Sequence, residues 1–294
     1  MSFPFASLLK RPSAISSLLS LKKPGSWSSI LLKAVGVLSR DSRWHSDLLK
    51  MLTEEMDSLN GQINTWTDNN PLLDEITKPY RKSSTRFFHP LLVLLMSRAS
   101  VNGDPPSQQL FQRYKQLARV TELIHAANII HINIGEEQSN EQIKLATLVG
   151  DYLLGKASVD LAHLENNAIT EIMASVIANL VEGHFGSRQN GSVGLSNERT
   201  ILLQSAFMPA KACLCASILN NSSQYINDAC FNYGKFLGLS LQLAHKPVSP
   251  DAQVLQKNND ILKTYVENAK SSLSVFPDIE AKQALMEIAN SVSK

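Results

Sequence analysis

The chain reads as all-α, a single-domain helical bundle of about eight to ten helices. Apolar residues recur at steps of three and four through nearly all of the sequence after residue 40. No stretch alternates with period two for long enough to propose a strand, and no solenoid-length repeat is visible. With 294 residues, 44% of them apolar and 18% charged, there is ample material for a large core.

The elements follow in order. Asp47 to Asn64 carries Leu48, Leu49, Leu52, Met56, Leu59 and Ile63 at helical spacing. Pro71 and Pro79 bracket a loop or short turn, and Leu91 to Ala99 resumes as an apolar helix. Asn102-Gly-Asp-Pro-Pro-Ser107 is a strong break, because a proline pair cannot continue a helix. Gln109 to His131 is the next helix, with Val120, Ile124, Ala127 and His131 in register. Glu141 to Leu164 is apolar nearly all round in its middle, which predicts burial on several sides. Asn167 to about His184 follows, and the Gly, Ser and Asn of 186–197 predict a surface loop. Glu198 to Leu219, Ser223 to Ala244, Ala252 to Val275 and a helix after Pro277 complete the set.

The bulk numbers exclude some classes of function. A net charge of +2 gives no field of the kind that holds nucleic acid. The longest apolar run, Phe87 to Met96, is too short to span a bilayer, so no transmembrane segment is expected; peripheral membrane contact stays open. Cys213, Cys215 and Cys230 make no CxxC pair and no zinc spacing, and read as small buried thiols. The first forty residues hold Lys10, Arg11, Lys22, Lys23, Lys33 and Arg40, are rich in serine, and precede the first acid, Asp41. With Leu8, Leu9, Ile15, Leu18 and Leu19 at helix-compatible spacing, residues 1–40 resemble a mitochondrial presequence, the alternative being a basic tail. Residues 41–294 are then the helical domain, and the expected location is the mitochondrion, on its matrix side.

One stretch carries a chemical signature: Glu122-Leu-Ile-His-Ala-Ala-Asn-Ile-Ile-His-Ile-Asn-Ile-Gly-Glu136. It resembles a helix of the all-trans polyprenyl diphosphate synthase family, which reads Glu-Leu-Ile-His, a few small residues, then His and Asp-Asp-x-x-Asp. The three aspartate positions here hold Ile132, Asn133 and Glu136. A second resemblance is Phe231-Asn-Tyr-Gly-Lys-Phe-Leu-Gly-Leu-Ser-Leu-Gln-Leu-Ala244, similar to the segment before the family's second aspartate-rich cluster. There His245, Lys246 and Ser249 stand in place of the carboxylates. Thr85-Arg-Phe-Phe-His-Pro90 resembles the family's Gly-Lys-Arg-x-Arg-Pro diphosphate grip; Arg86 can stand for the lysine, while Phe87 and His89 replace two arginines. A later Lys-Thr pair of the family matches Gln204 and Ser205. Scaffold segments persist in Gly150-Asp-Tyr-Leu-Leu-Gly-Lys-Ala157 and in Phe276-Pro-Asp-Ile-Glu-Ala-Lys-Gln-Ala-Leu285.

What the resemblance implies follows from the family's chemistry. Ionising an allylic diphosphate takes Mg²⁺ bridged to carboxylates, and magnesium wants hard oxygens in a near-octahedral shell. Four degraded elements imply that this chain holds no metal and performs no catalysis alone. The resemblance is closest to the non-catalytic subunits of heteromeric decaprenyl or solanesyl synthases, which serve ubiquinone side-chain synthesis. It implies a catalytic partner subunit, a heterotetramer, and Mg²⁺ bound by that partner. Small residues Ala126, Ala127, Gly150, Gly155 and Ala157 are candidates for the subunit seam, or equally for core filling. Two other readings compete: a stand-alone prenyltransferase with a diverged metal site around Glu136, and a helical prenyl-lipid-binding protein. Glu122-x-x-His125 is also half of a di-iron signature, but no second copy exists, and His125 reads as a core histidine.

Overall fold

The computed structural model describes residues 71–83, 85–101, 106–189, 198–244 and 252–292, and every regular element among them is helical. The first forty residues, the Asp47–Asn64 pattern and positions 245–251 lie outside that set. The order is α1 (Pro71–Lys82), α2 (Phe88–Ala99), α3 (Gln108–Ile132), α4 (Asn140–His163), α5 (Asn167–Gln189) and α6 (Glu198–Ile201). A π-helical turn (Leu202–Ala206) then leads into α7 (Phe207–Leu219), α8 (Gln224–Ala244) and α9 (Ala252–Ser272). A 3₁₀ turn (Leu273–Val275) and α10 (Glu280–Val292) follow.

α1 overturns the expectation of a loop between the two prolines. Pro71 takes the first helical position, where a missing N–H costs nothing, and Pro79 sits inside the helix. The residue whose carbonyl Pro79 leaves unbonded is Glu75, which is exposed. What recruits the segment is a buried face of Ile76, Thr77 and Tyr80. α3 and α4 begin where side-chain oxygens cap them: Ser107 accepts from the Leu110 amide, and Ser139 with Gln142 forms a reciprocal capping box.

α7 lies at the centre, packed on α8, α2, α5 and α3. Its residues Ala210, Ala212, Cys213, Cys215 and Ala216 are all fully buried, and their small volumes let four helices approach. The three cysteines are free and buried, and burial raises their thiols above the ordinary range. The π turn has a local cause. Pro209 has no N–H for the Ser205 carbonyl, and the backbone widens so that the Phe207 N–H reaches Leu202 O. The freed Ser205 carbonyl faces α8 where Gly238 gives it room: a Cβ there would lie 2.6 Å from that oxygen.

Arg199–Leu219 forms a helical stretch of 21 residues whose composition is apolar enough to cross a membrane. More than half of its most apolar window, 56%, is already buried inside the protein, which is the environment of a core helix. Polar ties fix the helix ends. Tyr114 donates to Asn220 Oδ1, and Asn220 Nδ2 donates to Ser97 O at 2.8 Å and Ser100 Oγ at 2.7 Å, joining α2, α3 and α7. Arg119 grips Asp160 through Nε and Nη2 at 2.6 and 2.8 Å, a two-pronged bridge between α3 and α4.

α4 corrects the expectation of burial on several sides. Ala146, Val149, Gly150, Leu153, Ala157 and Leu161 are buried, but Leu148, Tyr152 and Val159 are 53%, 47% and 52% exposed.

Candidate functional site

Most positions singled out from the sequence gather at two places along α3, with Gln204 and Ser205 apart from them on the π turn. The first is the turn between α1 and α2 and the stretch of α3 beneath it. Phe87 closes that turn in the left-handed region (φ 62°), a conformation that costs a non-glycine residue on the order of 1–3 kcal/mol. The conformation is held by Glu122, whose Oε1 accepts from the Phe87 N–H at 3.0 Å and from the Tyr80 hydroxyl at 2.7 Å. One turn along α3, His125 Nε2 pairs with Thr85 Oγ1 at 3.0 Å, and the His125 ring lies 4.6 Å from that of His89. Arg86 is held against the Tyr80 and Phe87 rings at 5.0 and 4.7 Å, with Nη1 donating to Arg81 O at 3.1 Å.

Burial sets the charge state of this cluster. Glu122 is fully buried, and desolvation raises its carboxyl to about 7 against the lowering effect of its two donors and of Arg86. Desolvation also lowers His125 to about 4, and His89, beside it, well below the usual range. Both imidazoles are therefore neutral at pH 7. Phe87 and His89, which stand where the resemblance implies two arginines, are 4% and 7% exposed. They fill the cleft with an apolar ring and an uncharged one and offer no cationic fork.

The second place is the end of α3. The helix stops at Ile132, which is exposed. Asn133 folds back as the C-cap, its Nδ2 donating to Ile129 O at 2.7 Å. Glu136 lies beyond the helix in an exposed turn, so the three positions do not form one face. With one carboxylate, one amide and one hydrocarbon, the donors do not fit Mg²⁺, which needs several hard oxygens converging on it. Among the described residues, no three His, Cys, Asp or Glu gather closely enough to hold a metal ion. His245, Lys246 and Ser249 fall outside the described residues.

Gln204 and Ser205 lie on the π turn and are engaged inside the bundle. Gln204 Nε2 donates to Gly183 O at 2.9 Å and lies 3.4 Å from His184 Nδ1, while His184 Nε2 is 3.2 Å from Asn128 Oδ1. Ser205 Oγ donates to Gln242 Oε1 at 2.9 Å. Asn128, His184 and Gln242 escaped the sequence reading, as did Tyr80. Two of them could have been found by counting back, since Asn128 is one helical turn before Ile132 and Gln242 three residues before His245.

The five small residues divide. Ala126, Ala127, Gly150 and Ala157 are buried within the chain, and a Cβ at Gly150 would strike the His131 ring at 2.0 Å. Gly150 thereby fills the packing between α3 and α4. Gly155 alone is open, with nothing within 4 Å of an added Cβ. It continues the exposed row Leu148, Tyr152, Gly155, Val159 at steps of four, three and four. α5 carries a similar exposed row of Ala174, Ala178, Val181 and Phe185, the last 64% exposed.

No family model matches the chain. Among curated proteins it is 27% identical over 360 aligned positions to a probable mitochondrial hexaprenyl pyrophosphate synthase of Neurospora crassa, covering 83% of this chain and 80% of that protein. It is 32% identical over 185 positions to the decaprenyl-diphosphate synthase of Dictyostelium discoideum, spanning only 39% of that relative's length. Subunit 1 of the Schizosaccharomyces pombe decaprenyl-diphosphate synthase is 28% identical over 257 positions, covering 74% of this chain and 68% of that one. Among solved structures, a polyprenyl synthase of Caulobacter crescentus, complexed with calcium and isoprenyl diphosphate, matches with a TM-score of 0.69 at 19% identity, covering 88% of this chain and 99% of that one. A decaprenyl diphosphate synthase of Rhodobacter capsulatus matches with a TM-score of 0.67 at 19% identity, covering 85% and 98%. The homologues of this chain are hexaprenyl and decaprenyl diphosphate synthases of the all-trans polyprenyl diphosphate synthase family, and its fold is that of the isoprenoid synthases.

Proposed function

We propose that this chain is the catalytically silent subunit of a heteromeric all-trans polyprenyl diphosphate synthase of the decaprenyl or solanesyl type, acting in ubiquinone side-chain synthesis in the mitochondrion. The observation that carries the reading is the state of the grip: where the diphosphate would be held, Phe87 and His89 are buried, uncharged and packed on Glu122 and His125. The positions of the first aspartate-rich cluster support it, since Ile132, Asn133 and Glu136 give no converging carboxylates. In this reading Mg²⁺ and both substrates are bound by the catalytic partner, whose own aspartates supply the hard oxygen ligands.

The partner surface is assigned to α4. An exposed mid-helix glycine lowers helix stability by about 1 kcal/mol relative to alanine, and a Cβ at Gly155 would meet nothing within 4 Å among the described residues. Flanked by Leu148, Tyr152 and Val159, it makes an apolar row with a notch, the shape on which another helix can pack closely. A heterotetramer pairs such faces with those of the catalytic subunit.

The test is titration of isopentenyl diphosphate with Mg²⁺ into the purified chain and into its complex with a catalytic polyprenyl diphosphate synthase subunit. Binding in the complex alone, with co-elution of the two chains, is the expected result. Tight Mg²⁺-dependent binding by the isolated chain would favour a stand-alone enzyme with a diverged metal site. Binding of a prenyl lipid without diphosphate, and no co-elution, would favour a lipid carrier.

A further inference from the structure

A chain of neutral polar side chains crosses the end of the bundle where α3 and α8 finish, running from α3 through α5 and the π turn to α8. Asn128 Oδ1 lies 3.2 Å from His184 Nε2, and an amide oxygen can only accept, so that ring nitrogen carries the proton. His184 Nδ1 is then an acceptor, with Gln204 Nε2 as its donor 3.4 Å away. The second proton of Gln204 Nε2 goes to Gly183 O at 2.9 Å. The next residue, Ser205, donates to Gln242 Oε1 at 2.9 Å. Two local features make this path possible. The wide π turn aims consecutive side chains at different helices, Gln204 at α5 and Ser205 at α8. Gly183 leaves room for the Gln204 stem, since a Cβ there would lie 2.7 Å from Gln204 Cγ. All five side chains are partly buried, where a polar network is stable when its members satisfy one another. None of the five is a carboxylate or a fixed cation.

We propose that this network is a metal-free clasp, which holds the ends of α3 and α8 in one arrangement with neither Mg²⁺ nor diphosphate bound. The opposite end of α3 is tied by Tyr114 to Asn220, the C-cap of α7, so the clasp fixes α3 at both ends. α3 in turn packs along α4. Fixing α3 therefore fixes the α4 face that carries Leu148, Tyr152 and Gly155, the face assigned above to the catalytic subunit. A surface already in its final shape loses less conformational freedom on docking. This last step rests on the silent-subunit reading; the clasp itself needs no second subunit and no substrate.

The experiment is double electron–electron resonance on the full chain, with spin labels on Ile132→Cys and Ala244→Cys; both positions are exposed, and the three native thiols are buried. A second pair on Gln112→Cys and Tyr225→Cys, exposed positions at the opposite ends of the same helices, is the control for general loosening. With the clasp intact, the first pair should give one narrow distance that Mg²⁺ with inorganic diphosphate leaves unchanged. Gln204→Ala should lose that single distance and leave the control pair as it was. A distance that shifts or narrows on adding Mg²⁺ and diphosphate, one that survives Gln204→Ala, or a loss at both pairs together would overturn the clasp. Should Gln204→Ala not fold, Ser205→Ala decides in the same way, because it cuts the chain at α8 by removing one hydroxyl. In the complex, Gln204→Ala should weaken association with the catalytic subunit by about fivefold, the effect of one lost hydrogen bond. Unchanged affinity would overturn the consequence for α4. Failure of the two chains to associate at all would count against the silent-subunit reading, and the spin-label distances would still decide the clasp.

Discussion

Gly234 on α8 offers the sharpest energetic prediction. A Cβ built there would lie 2.3 Å from the carbonyl oxygen of Pro209 and 2.6 Å from both its carbonyl carbon and the Ala210 Cα, all backbone atoms of α7. Relaxed carbon contacts sit at about 3.5–4.0 Å, so Gly234→Ala must force α7 and α8 apart by about 1 Å. That seam cannot give cheaply, because α7 is packed on α2, α3 and α5 as well. Overpacking of this kind costs about 3 kcal/mol, only partly offset by the roughly 1 kcal/mol gained in helix propensity. The net loss of about 2 kcal/mol lowers the melting temperature by roughly 4–8 °C. Gly155→Ala is the same chemical change on an open helix face, with nothing within 4 Å. It should gain about 0.5–1 kcal/mol in the isolated chain. Urea denaturation of wild type and both variants, followed by far-ultraviolet circular dichroism, reads the two shifts as changes in midpoint at constant slope. Shifts of the same sign, or a neutral Gly234→Ala, would refute the reasoning that close backbone approach, and not helix propensity, fixes that glycine.

Three further outcomes are expected. Because burial raises Glu122 from 4.5 to about 7, folding stability through this group is highest below pH 4.5 and is lost as pH rises to about 7. His125, lowered from 6.5 to about 4, has the opposite sign and loses stability as pH falls through that window. Each amounts to about 3 kcal/mol, so the wild-type profile is flattened, and Glu122→Gln should gain about that much relative to wild type between pH 4.5 and 7 in urea melts. Asp160→Asn keeps the shape but removes the charge that Arg119 grips with two nitrogens at 2.6 and 2.8 Å. It should cost about 2–3 kcal/mol, whereas neutral removal of both partners together costs less, a difference that a double-mutant cycle measures. Restoring carboxylates with Ile132→Asp and Asn133→Asp should leave the isolated chain unable to incorporate isopentenyl diphosphate, because the helix ends there and His245, Lys246 and Ser249 still lack carboxylates.

Most helices are legible because their apolar residues repeat with the helical period and their caps are written locally. α3 and α4 begin within a residue of where the pattern places them, at Ser107 and Ser139. α1 is illegible for the opposite reason. Pro71 and Pro79 read as loop residues, and the buried face of Ile76, Thr77 and Tyr80 is set by distant partners, among them the Glu122 carboxyl to which Tyr80 donates. The donor set at Ile132, Asn133 and Glu136, with one carboxylate among three side chains, is visible from the sequence alone. Its geometric form is not: that α3 stops at Ile132, that Asn133 becomes a cap, and that His89 leans on His125 are tertiary facts. On α4, composition could not separate residues buried by their own chain, such as Gly150, from those left open, such as Gly155, because both are small residues on an apolar helix.

The most direct measurement is transfer of isopentenyl diphosphate onto an allylic diphosphate with Mg²⁺, run with the purified chain alone, with a catalytic polyprenyl diphosphate synthase subunit alone, and with the two together. The silent-subunit reading predicts no product from this chain, long-chain product from the mixture, and loss of that product when Gly155→Leu blocks the α4 face. Product from this chain alone would contradict it.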